Sequence, residues 1–307
     1  MSTDRLVILS GEHIMYMDPF KGEDRYCNWR RAAGRQGREL QSLLHSLQGV
    51  FGVTEATFRA DGGRFPGTLF WFPLRPSASD LSSTVYAERN VEDLLASFRA
   101  EAPSLLLFLN HIQRVDILVR DAGSGPREVF SVGVAPSCLR AVRSERARFV
   151  RELTSAGGSL PRNETFCVTE VTMETRNHVT GETDAQRWLV ASYHCGQREV
   201  SRALSQLCSD PQLSYRPYVG VAIPLTNQDS FQSQVFCFLP LPLDTRSPTG
   251  LPLHVHGYFA LEQNRRHLKW PTADQMRYRG QLDPQSTWNC LLVTELLPKV
   301  CHRAFLR

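Results

Sequence analysis

A cluster of side chains that can bind an anion or a protein partner follows a predicted core strand near the end of the chain. The sequence NRRHLKWP begins at Asn264, and two residues separate it from the end of the apolar run Val255 to Leu261. A strand that ends in cations and an indole can present them on a rigid surface. One possible role is phosphate binding by the forked guanidinium of Arg265 or Arg266. A second possible role is partner binding by the set Arg265, Arg266, His267, Lys269 and Trp270. A third interpretation is a solvated basic loop with a structural role only.

Two further groups of residues have types that suit metal binding or nucleophilic catalysis. His254 and His256 alternate along one predicted strand and share a face, but no third ligand is evident, so we expect core histidines and no metal site. Tyr193-His194-Cys195 places a thiol beside an imidazole, as nucleophilic enzymes do. Adjacent strand residues face opposite ways, however, so we expect no catalytic residue in this tripeptide.

Common phosphate-binding and catalytic sequence motifs are absent from the sequence. It contains no Gly-x-x-x-x-Gly-Lys-Ser/Thr, and no Gly-x-Gly-x-x-Gly between a strand and a helix. Kinase motifs, a serine nucleophile elbow and a His-Glu-x-x-His helix are also missing. Gly34 and Gly37 alternate with Arg35 and Arg38 and could cradle an anion, although a surface loop is the simpler interpretation.

Composition narrows the class of protein. The 307 residues are 42% apolar, enough for a sizeable core and for two domains. The net charge is +4, the arginines are scattered, and no basic run interleaves with aromatics, so we expect no nucleic-acid partner. No apolar window approaches the ~20 residues that cross a bilayer, and we expect no membrane association and no signal peptide. Eight cysteines without zinc-type spacing indicate reduced thiols and a cytoplasmic protein.

The elements that would position these residues favour an α+β fold. Leu6 to Leu9 and His13 to Met17 predict a hairpin, and Val50 to Phe58 and Leu69 to Leu74 predict two further strands. A stretch rich in Ser, Pro and Ala, Pro76 to Ser83, predicts a linker. We therefore place one domain at 1–78 and a second at 79–307.

The second region alternates helices with paired strands. Its predicted helices are one that follows Asn90 and stops at Pro103, a short one over Ser104 to His111, one from Ser137, one marked by Val200, Leu204 and Leu207, and one opened by Asp283-Pro284 that Pro298 kinks or ends. Its predicted strand pairs are Phe166 to Thr175 with Gln186 to Tyr193, and Tyr218 to Leu225 with Gln234 to Leu239, followed by a further strand at His254 to Leu261.

Several blocks of the sequence resemble the sacsin repeat family. These are FCFLPLP from Phe236, GLPLHVHGYFAL from Gly250, NRRHLKWP from Asn264, the piece from Ser10-Gly11 to Asp18-Pro19, and GTLFWFPLR from Gly67. The last block is similar to the strand that ends the ATPase module of sacsin repeats, a module that resembles the Bergerat nucleotide fold of heat-shock-ninety-type chaperones.

The resemblance implies a fold and a set of nucleotide contacts. It implies late strands of a Bergerat-type ATPase sheet in 1–78, followed by a mixed α/β middle-like domain with antiparallel hairpins in 79–307. Thr68 would inherit a place near the adenine. By analogy with a middle-domain arginine of those chaperones, Arg265 or Arg266 would reach the nucleotide phosphate.

The same resemblance implies co-chaperone work through protein binding. The Glu/Asn helix, Asp-x-Gly-x-Gly loop and glycine-rich lid of that fold do not precede Leu6, so we expect no cofactor, with ATP and Mg²⁺ relevant only beside a complete ATPase half. The implied partners are client proteins and heat-shock-seventy machinery, with self-association possible. The alternatives are an ATP-hydrolysing chaperone module and a structural assembly or dimerisation repeat.

Overall fold

The computed structural model describes residues 6–17, 25–28, 38, 45, 65–80, 82–121, 123–155, 160–211, 213, 215–226, 231–242, 249–272, 275 and 282–306. These residues form an α+β fold, as the sequence predicts. The chain divides into two compact units, one of residues 1–98 with 118–127, and one of residues 99–117 with 128–307. The boundary after residue 78 stays a prediction.

The smaller unit contains a sheet of four described strands in the order β3-β2-β1-β4. They are β1 Leu6–Gly11, β2 His13–Met17, β3 Arg25–Asn28 and β4 Phe65–Trp71. The predicted hairpin is confirmed, because β1 and β2 pair antiparallel from Leu6 opposite Met17 to Ser10 opposite His13. β4 starts and ends earlier than predicted and pairs antiparallel with β1. The predicted strand at 50–58, and the glycine-arginine segment at 34–37, lie outside the described residues.

From residue 88 onward, helices and strands alternate in groups. The elements are α1 Glu88–Leu105, β5 Arg114–Val119, β6 Arg127–Val134, α2 Pro136–Ser155, β7 Thr165–Asn177, β8 Thr183–His194, α3 Arg202–Cys208, β9 Tyr218–Pro224, β10 Val235–Cys237, β11 Leu239–Pro240, β12 His254–Gly257, α4 Pro284–Leu291, a π-helical turn Leu292–Leu296, and α5 Leu297–Phe305.

Eight of the described strands form the larger sheet, in the order β11-β10-β12-β9-β8-β7-β6-β5. The predicted β7–β8 hairpin is confirmed. The predicted pairing of Tyr218 to Leu225 with Gln234 to Leu239 is wrong, because β9 pairs antiparallel with β12, and β10 lies beyond β12 and parallel to it. The fully buried β12 takes the inner position, whereas β10 ends after three residues, where Phe238 adopts φ 65°.

Pro103 does not stop the first helix. α1 continues through it to Leu105, and no separate helix forms over 104–111. Proline removes one backbone donor, but here it falls in the last turn, between the buried residues Ala102 and Ser104. Packing of these neighbours therefore outweighs the local cost.

The closing helical run begins as predicted and ends later. The Asp283 carboxylate accepts hydrogen bonds from the backbone N–H of Gln285 and Ser286, and Pro284 occupies the first turn. The π-helical turn ends at Leu296, two residues before Pro298, whose ring and missing N–H disturb a regular helical ladder. The chain then resumes as α5, so Pro298 does not end the run.

The main core of the larger unit lies between the sheet and this closing run. Tyr193, Val219 and Val221 of the sheet cluster with Trp288 and Leu292, and all five side chains are fully buried. The closing run thereby fixes the strand ends from which the basic segment departs.

Candidate functional site

The basic loop, residues 262–270, is a tightly closed turn. At its base Leu261 and Leu268 form an antiparallel bridge, and the Lys269 N–H donates to the Ala260 carbonyl at 2.9 Å. Within the loop, the Glu262 N–H donates to the His267 carbonyl at 3.0 Å. These bonds satisfy the backbone of the loop locally, so the loop has a defined shape.

Two arginines lie at the tip of the basic loop. Arg265 adopts φ 55°, a left-handed conformation, and its N–H donates to the Glu262 carbonyl at 2.8 Å. The Arg266 N–H donates to the Asn264 side-chain oxygen at 2.9 Å, as in an Asx turn. Both arginine side chains are exposed. The structure therefore presents two guanidinium groups on an ordered backbone.

A buried amide, Asn289 of α4, holds the base of the basic loop. Its Oδ1 accepts from the Ala260 N–H, and its Nδ2 donates to the carbonyls of Ala260 and Lys269, all at 2.8 Å. The neighbouring Trp288 indole donates to the Tyr258 carbonyl at 2.8 Å. The sequence analysis assigned no role to Asn289. The feature that could have indicated one is a polar residue beside a tryptophan on an apolar helix face.

Two other members of the predicted partner-binding set differ in their contacts: Lys269 anchors the loop, whereas Trp270 is exposed. Lys269 Nζ donates to Gln285 Oε1 at 2.7 Å and lies 3.1 Å from Asp283 Oδ1, which ties the loop to the start of α4. Burial opposes ionisation of Asp283, but hydrogen bonds from Ser286 and Lys269 outweigh it and hold the pKa of this carboxyl below its usual value. Trp270 is 43% exposed.

His267, the one histidine of the loop, is mostly buried. Its Nδ1 lies 3.4 Å from Glu262 Oε2, and its side chain is only 17% exposed. Arg265, Arg266 and Trp270 are therefore the members of the set that are available to a partner, while Lys269 and His267 serve the loop itself.

Thr68 lies on β4 of the smaller unit. Its exposed hydroxyl is 2.8 Å from the hydroxyl of Ser10, the residue directly opposite on β1. A hydroxyl in this position can accept or donate one further hydrogen bond to a ligand.

The histidines considered as metal ligands lie in the core. His254 packs 5.2 Å from the Trp188 ring and 5.0 Å from the Phe236 ring, and His256 packs 4.8 Å from the Phe108 ring. Burial lowers the pKa of each imidazole to about 4. Among the described residues, no group of three or more His, Cys, Asp or Glu could hold a metal ion.

The Tyr193-His194-Cys195 tripeptide is also buried. Desolvation raises the pKa of the Cys195 thiol and lowers that of His194 to about 4, so neither group is activated for nucleophilic attack. The Tyr193 hydroxyl donates to Glu164 Oε2 at 2.8 Å instead.

Comparison with known proteins finds a matching family model and a curated relative. The model of the Sacsin domain matches residues 2–130. Sacsin from Homo sapiens is 36% identical over 315 aligned residues, which cover 97% of this chain and 7% of that protein. The chain thus spans a small fraction of the curated relative. In the part of the chain that the structure describes, no helix is long and apolar enough to cross a membrane.

Proposed function

This chain belongs to the sacsin family as a repeat region, and we propose that it acts as a protein-binding module in cytoplasmic co-chaperone work, without hydrolysing ATP itself. The partners in this proposal are client proteins, with heat-shock-seventy machinery acting on the same clients. The observation that carries the proposal is the basic loop, in which exposed arginines and an exposed indole stand on a fixed backbone. Arg and Trp are the side chains that most often dominate binding energy at protein interfaces.

A preformed loop strengthens this proposal. Binding by a flexible segment costs conformational entropy, whereas a preorganised one avoids much of that cost. Asn289, the Leu261–Leu268 bridge and the Lys269–Asp283 ion pair all fix this loop before any partner arrives.

Suppression of aggregation tests the proposal. The chain is mixed with a heat-unfolded model client, and light scattering is followed with and without the substitutions Arg265→Ala, Arg266→Ala and Trp270→Ala. We expect the triple variant to lose most of the protection. The matched control is Arg140→Ala with Arg151→Ala, which removes two exposed arginines from α2. Equal protection by the triple variant and the control would refute the role of the loop.

We also propose that β1, β2 and β4 correspond to late strands of a Bergerat-type sheet. The supporting observation is the direct pairing of Ser10 with Thr68 across β1 and β4, within the two blocks that resemble this module. An experimental structure of a longer segment, in which the preceding strands either do or do not extend this sheet, tests the assignment.

A second candidate, a structural assembly role, is favoured by apolar side chains in and after β4. Phe70, Phe72 and Leu74 are 54%, 52% and 45% exposed. Contiguous exposed apolar residues mark interaction sites. Sedimentation of the wild-type chain against Phe70→Ser with Phe72→Ser tests this candidate, which requires the wild type alone to self-associate.

A further inference from the structure

A cleft of about 300 Å³ lies in the larger unit, apart from the basic loop. The last turns of α1 form one wall, and residues of β8, β12 and the segments next to β9 and β10 form the rest. Its volume is at the lower end of the range for pockets that hold small ligands. Nothing in the basic loop lines it.

Three stacked and edge-on rings line this cleft. Trp188 and His254 stack with centroids 5.2 Å apart, and Phe231 meets the His254 ring edge-on at 4.7 Å. Trp188 and His254 are each only 4% exposed. Because these two rings are packed into the sheet, they have defined positions in the wall of the cleft.

Two ring nitrogens of the cleft lack hydrogen-bond partners within the described part of the chain. They are Trp188 Nε1 and His254 Nδ1, and both are buried. Buried polar atoms nearly always have partners, so an unpaired donor and an unpaired imidazole nitrogen in one cleft need an explanation. Desolvation lowers the pKa of His254 to about 4, although the ring also hydrogen-bonds to the Gln234 backbone, which acts in the opposite direction. The imidazole is therefore neutral at pH 7 and retains one nitrogen lone pair.

A peptide group matches these two atoms. Its carbonyl can accept from the indole N–H, and its N–H can donate to a neutral imidazole nitrogen. The side-chain amides of Gln186 and Gln232, which also line the cleft, offer more bonds of the same neutral kind. A phosphate group matches less well, since it supplies acceptors and no donor at neutral pH.

The charge of the cleft selects among peptides. Glu101 is the one formally charged side chain among its described lining residues, because His254 is neutral. A carboxylate in a partly desolvated wall attracts a basic side chain and repels an acidic one. Aromatic rings add to this preference, since their faces attract cations.

From this combination we infer that the cleft binds an extended peptide segment, with one peptide group against Trp188 and His254 and a basic side chain against Glu101. The inference rests on the proposed protein-binding function and names a site and a ligand class for it. Clients would then contact the module at two places, the basic loop and this cleft, with opposite charge preferences.

Nuclear magnetic resonance tests the cleft directly. The full chain is labelled with ¹⁵N, and its indole N–H signals are followed during titration with N-acetyl-glycyl-lysyl-N-methylamide or the glutamyl equivalent. Loss of one signal in Trp188→Phe assigns the Trp188 indole, and triple-resonance assignment replaces that variant if it does not fold. We expect the lysyl peptide to shift this signal at a concentration at least five-fold lower than the glutamyl peptide does.

A matched pair of substitutions on α1 completes the test. Glu101→Gln should abolish the preference for the lysyl peptide, while Glu92→Gln, an exposed carboxylate of the same helix, should leave it unchanged. A Trp188 signal that neither peptide moves, or an unchanged preference in Glu101→Gln, would overturn the inference. If the wild-type chain still suppresses client aggregation in that case, the cleft assignment fails and the proposed function stands. If the wild-type chain shows neither the peptide-dependent shift nor suppression of aggregation, the cleft assignment and the proposed function are both refuted.

Discussion

Asn289 is the residue on which the geometry of the basic loop most depends. Replacing it with Ala removes the partner of the Ala260 N–H and that of the Lys269 carbonyl, while the Ala260 carbonyl keeps the Lys269 N–H, and each unsatisfied group costs about 1–3 kcal/mol. We expect Asn289→Ala to lower the free energy of unfolding by about 2–4 kcal/mol in urea titrations. Thr294→Ser, on the exposed side of the same helical run, is the control and should change it little.

Buried histidines should make the stability of the larger unit depend on pH. Burial lowers the pKa of His194, His254 and His256 to about 4, below the unfolded value near 6.5, so the unfolded chain binds more protons between these values. Stability should therefore fall as pH drops from about 6.5 toward 4. Each site contributes on the order of 2–3 kcal/mol over the whole range.

His194 offers a test of that pH dependence at one position. Both of its ring nitrogens are buried without a hydrogen-bond partner among the described residues. In His194→Leu the chain should keep its stability at pH 7 and lose less of it at pH 5 than the wild type does, by about one third of the loss that the three buried histidines account for. Denaturant midpoints at the two pH values measure this, and an unchanged slope would show that His194 does not titrate as proposed.

At the scale of elements, the start of α4 combines a helix cap with an ion pair. Asp283→Ala removes both the cap to Gln285 and Ser286 and the contact with Lys269, and should cost about 1–2 kcal/mol. Asp283→Asn keeps a capping oxygen and loses the charge. If the cap dominates, Asn should recover most of the loss in thermal unfolding, whereas an Asn variant as unstable as Ala would assign the effect to the ion pair.

This cap also shows which elements the sequence could predict. Asp283-Pro284 and the alternating runs of β7 and β8 are local signals, so both were predicted correctly. Pairing between β9 and β12 depends on segments about thirty residues apart that compete with the nearer β10, and local pattern does not decide such a contest. The same limit applies to Pro103, where burial of Ala102 and Ser104 decides the outcome.

Across the whole molecule, the sequence indicated which residues belong to the basic loop. It did not indicate which of them are exposed and which anchor the loop. The set from Arg265 to Trp270 was evident from composition after an apolar run. Its division into exposed groups and anchoring groups depends on Asn289 and Asp283, which come from a helix later in the chain. The Trp188–His254 cleft had no sequence signal, because its rings belong to different strands and read individually as core residues.

The nucleotide question belongs to the molecule as a whole. Tight binding of a triphosphate needs a cation, its carboxylate or amide ligands and an enclosing loop. The Asp-x-Gly-x-Gly match in this chain, Asp121 to Gly125, lies between β5 and β6, after the strands that resemble the nucleotide module and not before them. We therefore expect calorimetry with Mg²⁺-ATP to detect no binding tighter than about 1 mM, which corresponds to roughly −4 kcal/mol. Thr68→Val should give the same trace. Magnesium-dependent binding in the micromolar range that Thr68→Val weakens would instead show that Ser10, Thr68 and their strands already form a functional purine pocket.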